Sequence, residues 1–489
     1  MAELKAEDMQ DIQGFVISGY AHLPCVSYLL LGISDPPSAR GWLARLVNEV
    51  TTSEGKELIS CLNVALTHRG LRRMGLDEET LDTFSRPFVE GMATQHRSRI
   101  LGDGTENGPT NWDWGGNLTS EPAKPDETKA VDILLLLFGR DETTLDKLVN
   151  EHRARLAQCG LTLVLPLGAG RQPDIHEHFG FADGMGQPAI EGTIQTRDAA
   201  PRNVIKTGEI LLGYVNDYGK LADSPTLRAD LDPQDVLHDQ PPVDPTEQAR
   251  PSGASPPVMR DLGRNGTYLV FRQLAQHVAK FCHYLDEATR TLDEELDSTA
   301  SDRLAAKFVG RWQNGAPLVL SPDTDDPALS KEDDFGYRDS DAHGFKCPIG
   351  SHVRRSNPRD SIGPDAAKAL ATANRHRILR RGRSYGVRPE DRRVDDGVPR
   401  GLHFLCLNAD IERQFEFVQQ TWINNPVFGG LDGEVDPLVG NLTKGDEIFT
   451  VQADPLRTRV HNLERFVTVK GGAYFFLPSL RALRYLASL

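Results

Sequence analysis

Short unbroken apolar runs alternate along this chain with stretches in which apolar residues recur every three or four positions. The first pattern predicts buried strands and the second amphipathic helices. The first run, Cys25 to Ile33, is followed by Ser34-Asp35-Pro36-Pro37-Ser38, a turn with good helix-start chemistry. Leu43, Leu46, Val47 and Val50 then mark one helical face, and a second strand is expected at Leu58 to Leu66. A mixed helical and loop segment over Thr67 to Asp103 leads through a polar, glycine-rich stretch to Trp112-Asp113-Trp114. The motif then returns, with a strand at Asp132 to Phe138, a helical stripe beginning Leu145, Leu148, Val149, and a strand at Leu161 to Leu167.

The second half repeats this order after a polar region over 214–264, rich in Pro and Asp (Asp232-Pro233, Pro241-Pro242, Pro256-Pro257), which reads as a surface insertion. Tyr268 to Phe271 is a strand running into a helix expected over Gln273 to Leu285. His403 to Leu407 leads into Ile411, Phe415, Val418 and Trp422 at helical spacing. Two strands, Phe466 to Val469 and Ala473 to Phe476, precede a helix from Ser479. Strand, helix, strand, twice over in the first half, and two strand-then-helix modules in each half, suit an α+β fold of two ferredoxin-like halves, 1–213 and 265–489, around the insertion. A doubly wound parallel sheet would also alternate strands and helices, but no glycine-rich phosphate loop follows the first strand.

Composition narrows the function classes. The chain has 489 residues, enough for a large core, and a formal net charge of -15, which disfavours a nucleic-acid binder. Its six cysteines form no C-x-x-C pair, so zinc clusters, iron-sulfur clusters and c-type haem attachment lack ligands, and the thiols read as reduced core residues. The amino terminus is polar and no apolar stretch reaches membrane-spanning length, which predicts a cytoplasmic protein without a membrane partner.

Candidate chemistry concentrates in Cys347 to Arg359, C-P-I-G-S-H-V-R-R-S-N-P-R. One neutral imidazole, His352, can hold a haem iron, and Arg354, Arg355 and Arg359 are the fork-shaped cations that pair with propionates. The same segment would also suit a basic surface loop with an incidental histidine. Gly180-Phe181-Ala182-Asp183-Gly184 brackets a carboxylate with glycines that let the backbone approach a flat ligand, and it is equally ordinary turn chemistry. Ile378 to Gly386, I-L-R-R-G-R-S-Y-G, would alone read as a solvated basic face or a phosphate site.

Taken together, these three segments resemble the dye-decolourising peroxidase family. Further matching stretches are Pro87 to Met92, Gly208 to Tyr214, Asn265 to Arg272 and Gly471 to Phe476, so the likeness spans most of the chain. The resemblance implies two ferredoxin-like halves in a dimeric α+β barrel-like arrangement, with haem b held non-covalently in the second. It implies His352 as the proximal iron ligand, Asp183 as distal carboxylate, Arg380 as distal arginine, Arg359 as a propionate partner and Gly184 as part of the cofactor-binding turn. Asp436 would accept the hydrogen bond of the proximal imidazole, with Asp432 four residues away as the alternative. The gap from His352 to Arg380 and the insertions match one of the larger subfamilies.

The activity implied is reduction of hydrogen peroxide to water through a ferryl intermediate, with oxidation of dyes, phenols or other reducing substrates. Asp183 would carry the peroxide proton, its carboxyl raised by an apolar pocket, and Arg380 would stabilise the developing anion. Bulky reductants would be reached through a surface aromatic, with Trp422, Trp312 and Tyr337 as candidates by type. A haem carrier without rapid peroxide turnover is the other reading, and an oligomer or an encapsulating partner is compatible with both.

Overall fold

The unbroken apolar runs are strands, and those at Cys25–Ile33, Ser60–Leu66 and Ile133–Gly139 are buried on both faces, whereas Leu161–Gly170 is mostly part-exposed. In the computed structural model, which describes residues 4–54, 58–116, 127–172, 174–240, 258–292, 298–442 and 445–489, β1 (Cys25–Ile33) is buried along all but its first residue. It pairs antiparallel with β3 (Ile133–Gly139) on one side and β4 (Leu161–Gly170) on the other, Tyr28 lying opposite Leu136 and Leu167. β2 (Ser60–Leu66) flanks β3. Helix α1 (Pro36–Leu46) links β1 to β2 and α2 (Glu142–Arg155) links β3 to β4, each begun by an aspartate whose carboxylate accepts a backbone N–H: Asp35 from Ser38, Asp141 from Thr144. The strand order β4-β1-β3-β2 is that of a ferredoxin-like unit.

The second half repeats that order. β5 (Thr267–Gln276), α3 (Val278–Leu292), β6 (Arg383–Tyr385), β7 (Gly401–Asn408) and β8 (Val467–Leu477) arrange as β8-β5-β7-β6, with the short strand Leu379–Arg380 also on β7. The two sheets meet at both edges, Phe476 opposite Leu66 and Ser384 opposite Gly170, so the strands close into a ring. Alternation then divides the core. Tyr28, Leu30, Leu136, Phe138, Phe271, Leu405 and Phe475 fill the inside of the ring. Leu29, Leu31, Leu135, Val64, Val270 and Cys406 face outward, where α1 contributes Ala39, Trp42, Leu43 and Leu46 to their cover.

Three expectations are corrected. β5 does not give way to helix at Gln273: it continues to Gln276 because Gln273 and Leu274 keep their pairing with His403 and Leu402 of β7. The two terminal strands are one, β8, whose ladder shifts register beside Val469 and Gly471. Gly471 lets that strand pass Trp114, since a Cβ there would come within 2.4 Å of the indole nitrogen. The insertion is not merely superficial: Thr226–Arg228, His238–Asp239 and Met259–Asp261 form a small sheet, and Leu227, Leu237 and Leu262 enter the main core. Pro241-Pro242 and Pro256-Pro257 lie outside the described residues. Among the described residues, no helix is long and apolar enough to cross a membrane.

Candidate active site

The outward face of the second sheet carries the site. Leu274 of β5, Leu402 and Phe404 of β7, and Val467 and Val469 of β8 form one wall of a cavity of ≈ 260 Å³. Opposite stands the short helix α4 (His352–Ser356), and a helical stretch over 412–423 adds Phe415, Val418 and Ile423. That stretch is wound in wide π turns, Glu416 N–H reaching Ile411 O at 2.9 Å, which is how the expected helical stripe is realised.

α4 is fixed by its own arginines. Arg354, buried, donates to Asp341 Oδ2 at 3.0 Å and Cys347 O at 2.7 Å. Arg355, with no exposure, donates to the carbonyls of Gly350, Trp422, Asn425 and Glu434. These two cations are therefore scaffold, and neither lines the cavity. His352 does line it: its Nδ1 lies 2.9 Å from Asp436 Oδ2, leaving Nε2 with the free lone pair. Asp436 is fully buried, and its other oxygen accepts the N–H groups of Leu438 and Val439 at 2.9 Å each. Burial would raise its carboxyl, but His352 and those two amides hold it below the usual carboxylate range. Asp432 is exposed, so Asp436 is the partner and the alternative falls away.

Beyond His352 the cavity is cationic. Arg359, at a left-handed φ of 51°, lies over the Phe335 ring at 3.8 Å and donates to Asp333 Oδ1 at 2.5 Å. Arg311 donates to the same oxygen at 2.7 Å. Arg377 donates to Gly186 O at 2.9 Å and, among the described residues, has no carboxylate at ion-pair distance; burial first, then the charge of Arg359, push its guanidinium down to about 10. Arg380 donates to Met185 O. Four guanidinium groups thus face the cavity around one shared carboxylate, while Arg272 there is paired with Asp103.

His352, Val353, Leu402 and Arg380 also line an adjoining space of ≈ 190 Å³ with Phe181, Trp312 and Asp183. Asp183 is exposed to it, so an enclosing apolar pocket is not what surrounds this carboxylate. Its loop is held by Asp183 N–H to Ile175 O and Ala182 N–H to Gln313 O, at 2.9 and 2.8 Å. Glu177 clamps the same loop, accepting from Phe179 N, Phe181 N and Gln276 Nε2 at 2.8, 2.9 and 2.6 Å, and burial pushes its carboxyl up. Gly184, at φ 90°, supplies a turn only glycine makes freely and lines an outer vestibule with Asp183, rather than the two inner spaces.

Arg311, Asp333, Arg377 and Glu177 were not singled out by sequence reasoning. Arg377 had a signal, since it stands directly before the apolar pair Ile378-Leu379 in what otherwise reads as a basic surface run. Trp422, Trp312 and Tyr337 are core residues, 6%, 5% and 1% exposed, and do not form a surface exit. Among all tryptophans and tyrosines only Tyr218 is exposed, at 50%.

The residues fit a haem. Apolar walls, an aspartate-backed imidazole and surplus guanidinium charge suit a flat, dianionic iron cofactor. No cysteine lines either inner space. Among the described residues no group of three or more His, Cys, Asp or Glu could hold a bare metal. An acid, Asp183, and an arginine, Arg380, line one space with that imidazole, the set of groups a haem peroxidase requires.

No model of a known protein family matches the chain. It is 28% identical over 526 residues to a dye-decolorizing peroxidase of Mycena epipterygia, covering 99% of this chain and 88% of that one. A multifunctional dye peroxidase of Amycolatopsis is 33% identical over 330 residues, 63% of this chain and 61% of that protein. Among solved structures, an ancestral D-type dye decolorizing peroxidase superimposes with a TM-score of 0.74 at 27% identity over 99% of both chains. A fungal enzyme of the type from Auricularia auricula-judae superimposes with a TM-score of 0.73 at 25% identity, over 98% of this chain and 99% of that one. The chain belongs to the dye-decolourising peroxidase family.

Proposed function

We propose that the protein reduces hydrogen peroxide with a non-covalently held haem b, and that His352, Asp436, Asp183 and Arg380 carry the reaction. The observation that supports this assignment most is the 2.9 Å contact of a fully buried Asp436 with His352 at the edge of a cationic cavity. His352 Nε2 would be the iron ligand, with Arg359, Arg377 and Arg311 around the propionates. Bound there, haem iron would supply the site of peroxide activation and the oxidising equivalents passed on to the reductant.

The chain's own groups do the rest. Asp436 holds the proton of His352 on Nδ1 and makes the imidazole more electron-donating. Asp183 takes the proton from the inner peroxide oxygen and returns it to the outer oxygen, which leaves as water. Arg380 stays charged throughout and stabilises the anion that develops as the O–O bond breaks. Dyes and phenols are the reductants proposed, following the names of the relatives. Six unpaired cysteines, five of them buried, support a reducing, cytoplasmic setting. A haem carrier would need neither Asp183 nor Arg380 in that space.

The test is the optical spectrum of the haem-loaded protein before and after one equivalent of peroxide, for wild type and His352→Ala. A histidine-ligated ferric spectrum that changes with peroxide in wild type, and is absent from the variant, is expected. Haem binding through His352 with no response to peroxide would return the carrier reading.

A further inference from the structure

Asp183 and Arg380 have a second side. Together with Glu177 they also line an outer vestibule of ≈ 260 Å³, whose other charged residues are Arg171, Arg381 and Arg383. Four guanidinium groups therefore face two carboxylates, with His176 also on the wall. The arginines are held by carbonyls rather than acids. Arg381 donates to Phe15 O and Val16 O at 3.1 and 2.7 Å, Arg383 to Gly382 O at 3.1 Å, and Arg171 to Ala21 O at 3.3 Å. Among the described residues none of these three has a carboxylate at ion-pair distance, and the nearby Asp174 is already taken by Arg388 at 2.5 Å. Arg383 Nε is buried without a partner. A local excess of positive charge at the mouth of the site stands out in a chain of net charge -15. A cleft in which one sign of charge outweighs the other concentrates ligands of the opposite sign.

We propose that this vestibule binds small phenolic reductants carrying an aromatic carboxylate. The exposed Arg171, at the end of β4, engages the carboxylate, and the phenol hydroxyl turns toward Asp183, the acid shared with the inner space. The inference rests on the peroxidase reading and adds a substrate class to it. Each phenol gives up one electron and its hydroxyl proton. Two phenols and one hydrogen peroxide thus yield two phenoxyl radicals and two waters, the protons passing by way of Asp183.

The test uses the haem-loaded full chain and a matched pair, 2,6-dimethoxyphenol and 3,5-dimethoxy-4-hydroxybenzoate, which differ by one carboxylate. In Arg171→Glu, KM for the benzoate should rise roughly tenfold, an effect that added salt shrinks, while kcat and KM for the neutral phenol stay at wild-type values. Calorimetric titration with the benzoate should show the same loss without any turnover. Equal KM and equal binding in wild type and Arg171→Glu would overturn the proposal. If wild type oxidises neither phenol, the peroxidase reading fails instead. Calorimetry then decides the vestibule alone: lost benzoate binding in the variant upholds it and unchanged binding overturns it.

Discussion

At the scale of single residues, the site separates cations that bind from cations that build. Arg354, Arg355 and Arg359 stand within eight positions of one another and of His352, yet only Arg359 reaches the cavity. Chain spacing could not distinguish them, because Arg354 and Arg355 are directed by α4 whereas Arg359 lies beyond its end, where a left-handed backbone turn sets its direction. Asp183 and Arg380 can be tested separately. Asp183→Asn removes the proton carrier and should lower kcat/KM for peroxide by ~100- to 10,000-fold. Arg380→Leu removes a fixed charge and should lower it by ~100- to 1,000-fold. Both variants should keep haem, read from the optical spectrum. A loss of haem in either would make it a cofactor anchor and not a catalytic group.

At the scale of elements, α4 is too short to stand by propensity and is held by tertiary hydrogen bonds. Arg355 is the main strap, tying α4 to the carbonyls of Trp422, Asn425 and Glu434, in the segment that also delivers Asp436. Burial pushes its guanidinium down to about 10, with Asp436 and Glu434 opposing. Arg355→Met would leave those carbonyls without their donor and should cost ~3–5 kcal/mol in denaturant unfolding. It should also weaken haem uptake, although Arg355 never lines the cavity. Normal stability with impaired haem binding would show instead that Arg355 acts on the ligand directly.

At the scale of the whole molecule, the two halves are joined by charge as well as by strands. Arg97, almost fully buried, links Glu90 of the first half to Glu416 of the second at 2.7 Å each, and Tyr474 donates to Glu416. Burial would raise Glu90, but hydrogen bonds from Arg86, His96 and Arg97 hold it down to about 2. A depressed carboxyl contributes stability that is complete above its unfolded pKa, ordinarily near 4.5, and is lost as pH falls through the folded value. Wild type should therefore lose more Tm than Glu90→Gln between pH 5 and pH 2, and the two curves should converge at the acid end. Parallel curves would show that Glu90 carries none of the acid sensitivity.

The sequence by itself determined the strand and helix order, because runs such as Leu29 to Ile33 and Ile133 to Phe138 must be buried on both faces wherever they lie. It also carried the His352, Asp183 and Arg380 segments, since the turn-forming and charged residue types that make them are local. The tertiary structure alone decided the rest. Ring closure through Phe476–Leu66 and Ser384–Gly170, the choice of Asp436 over Asp432, and the sharing of Asp333 by Arg311 and Arg359 all join residues distant in sequence. Burial and pairing of that kind depend on which faces meet, and no local pattern records them.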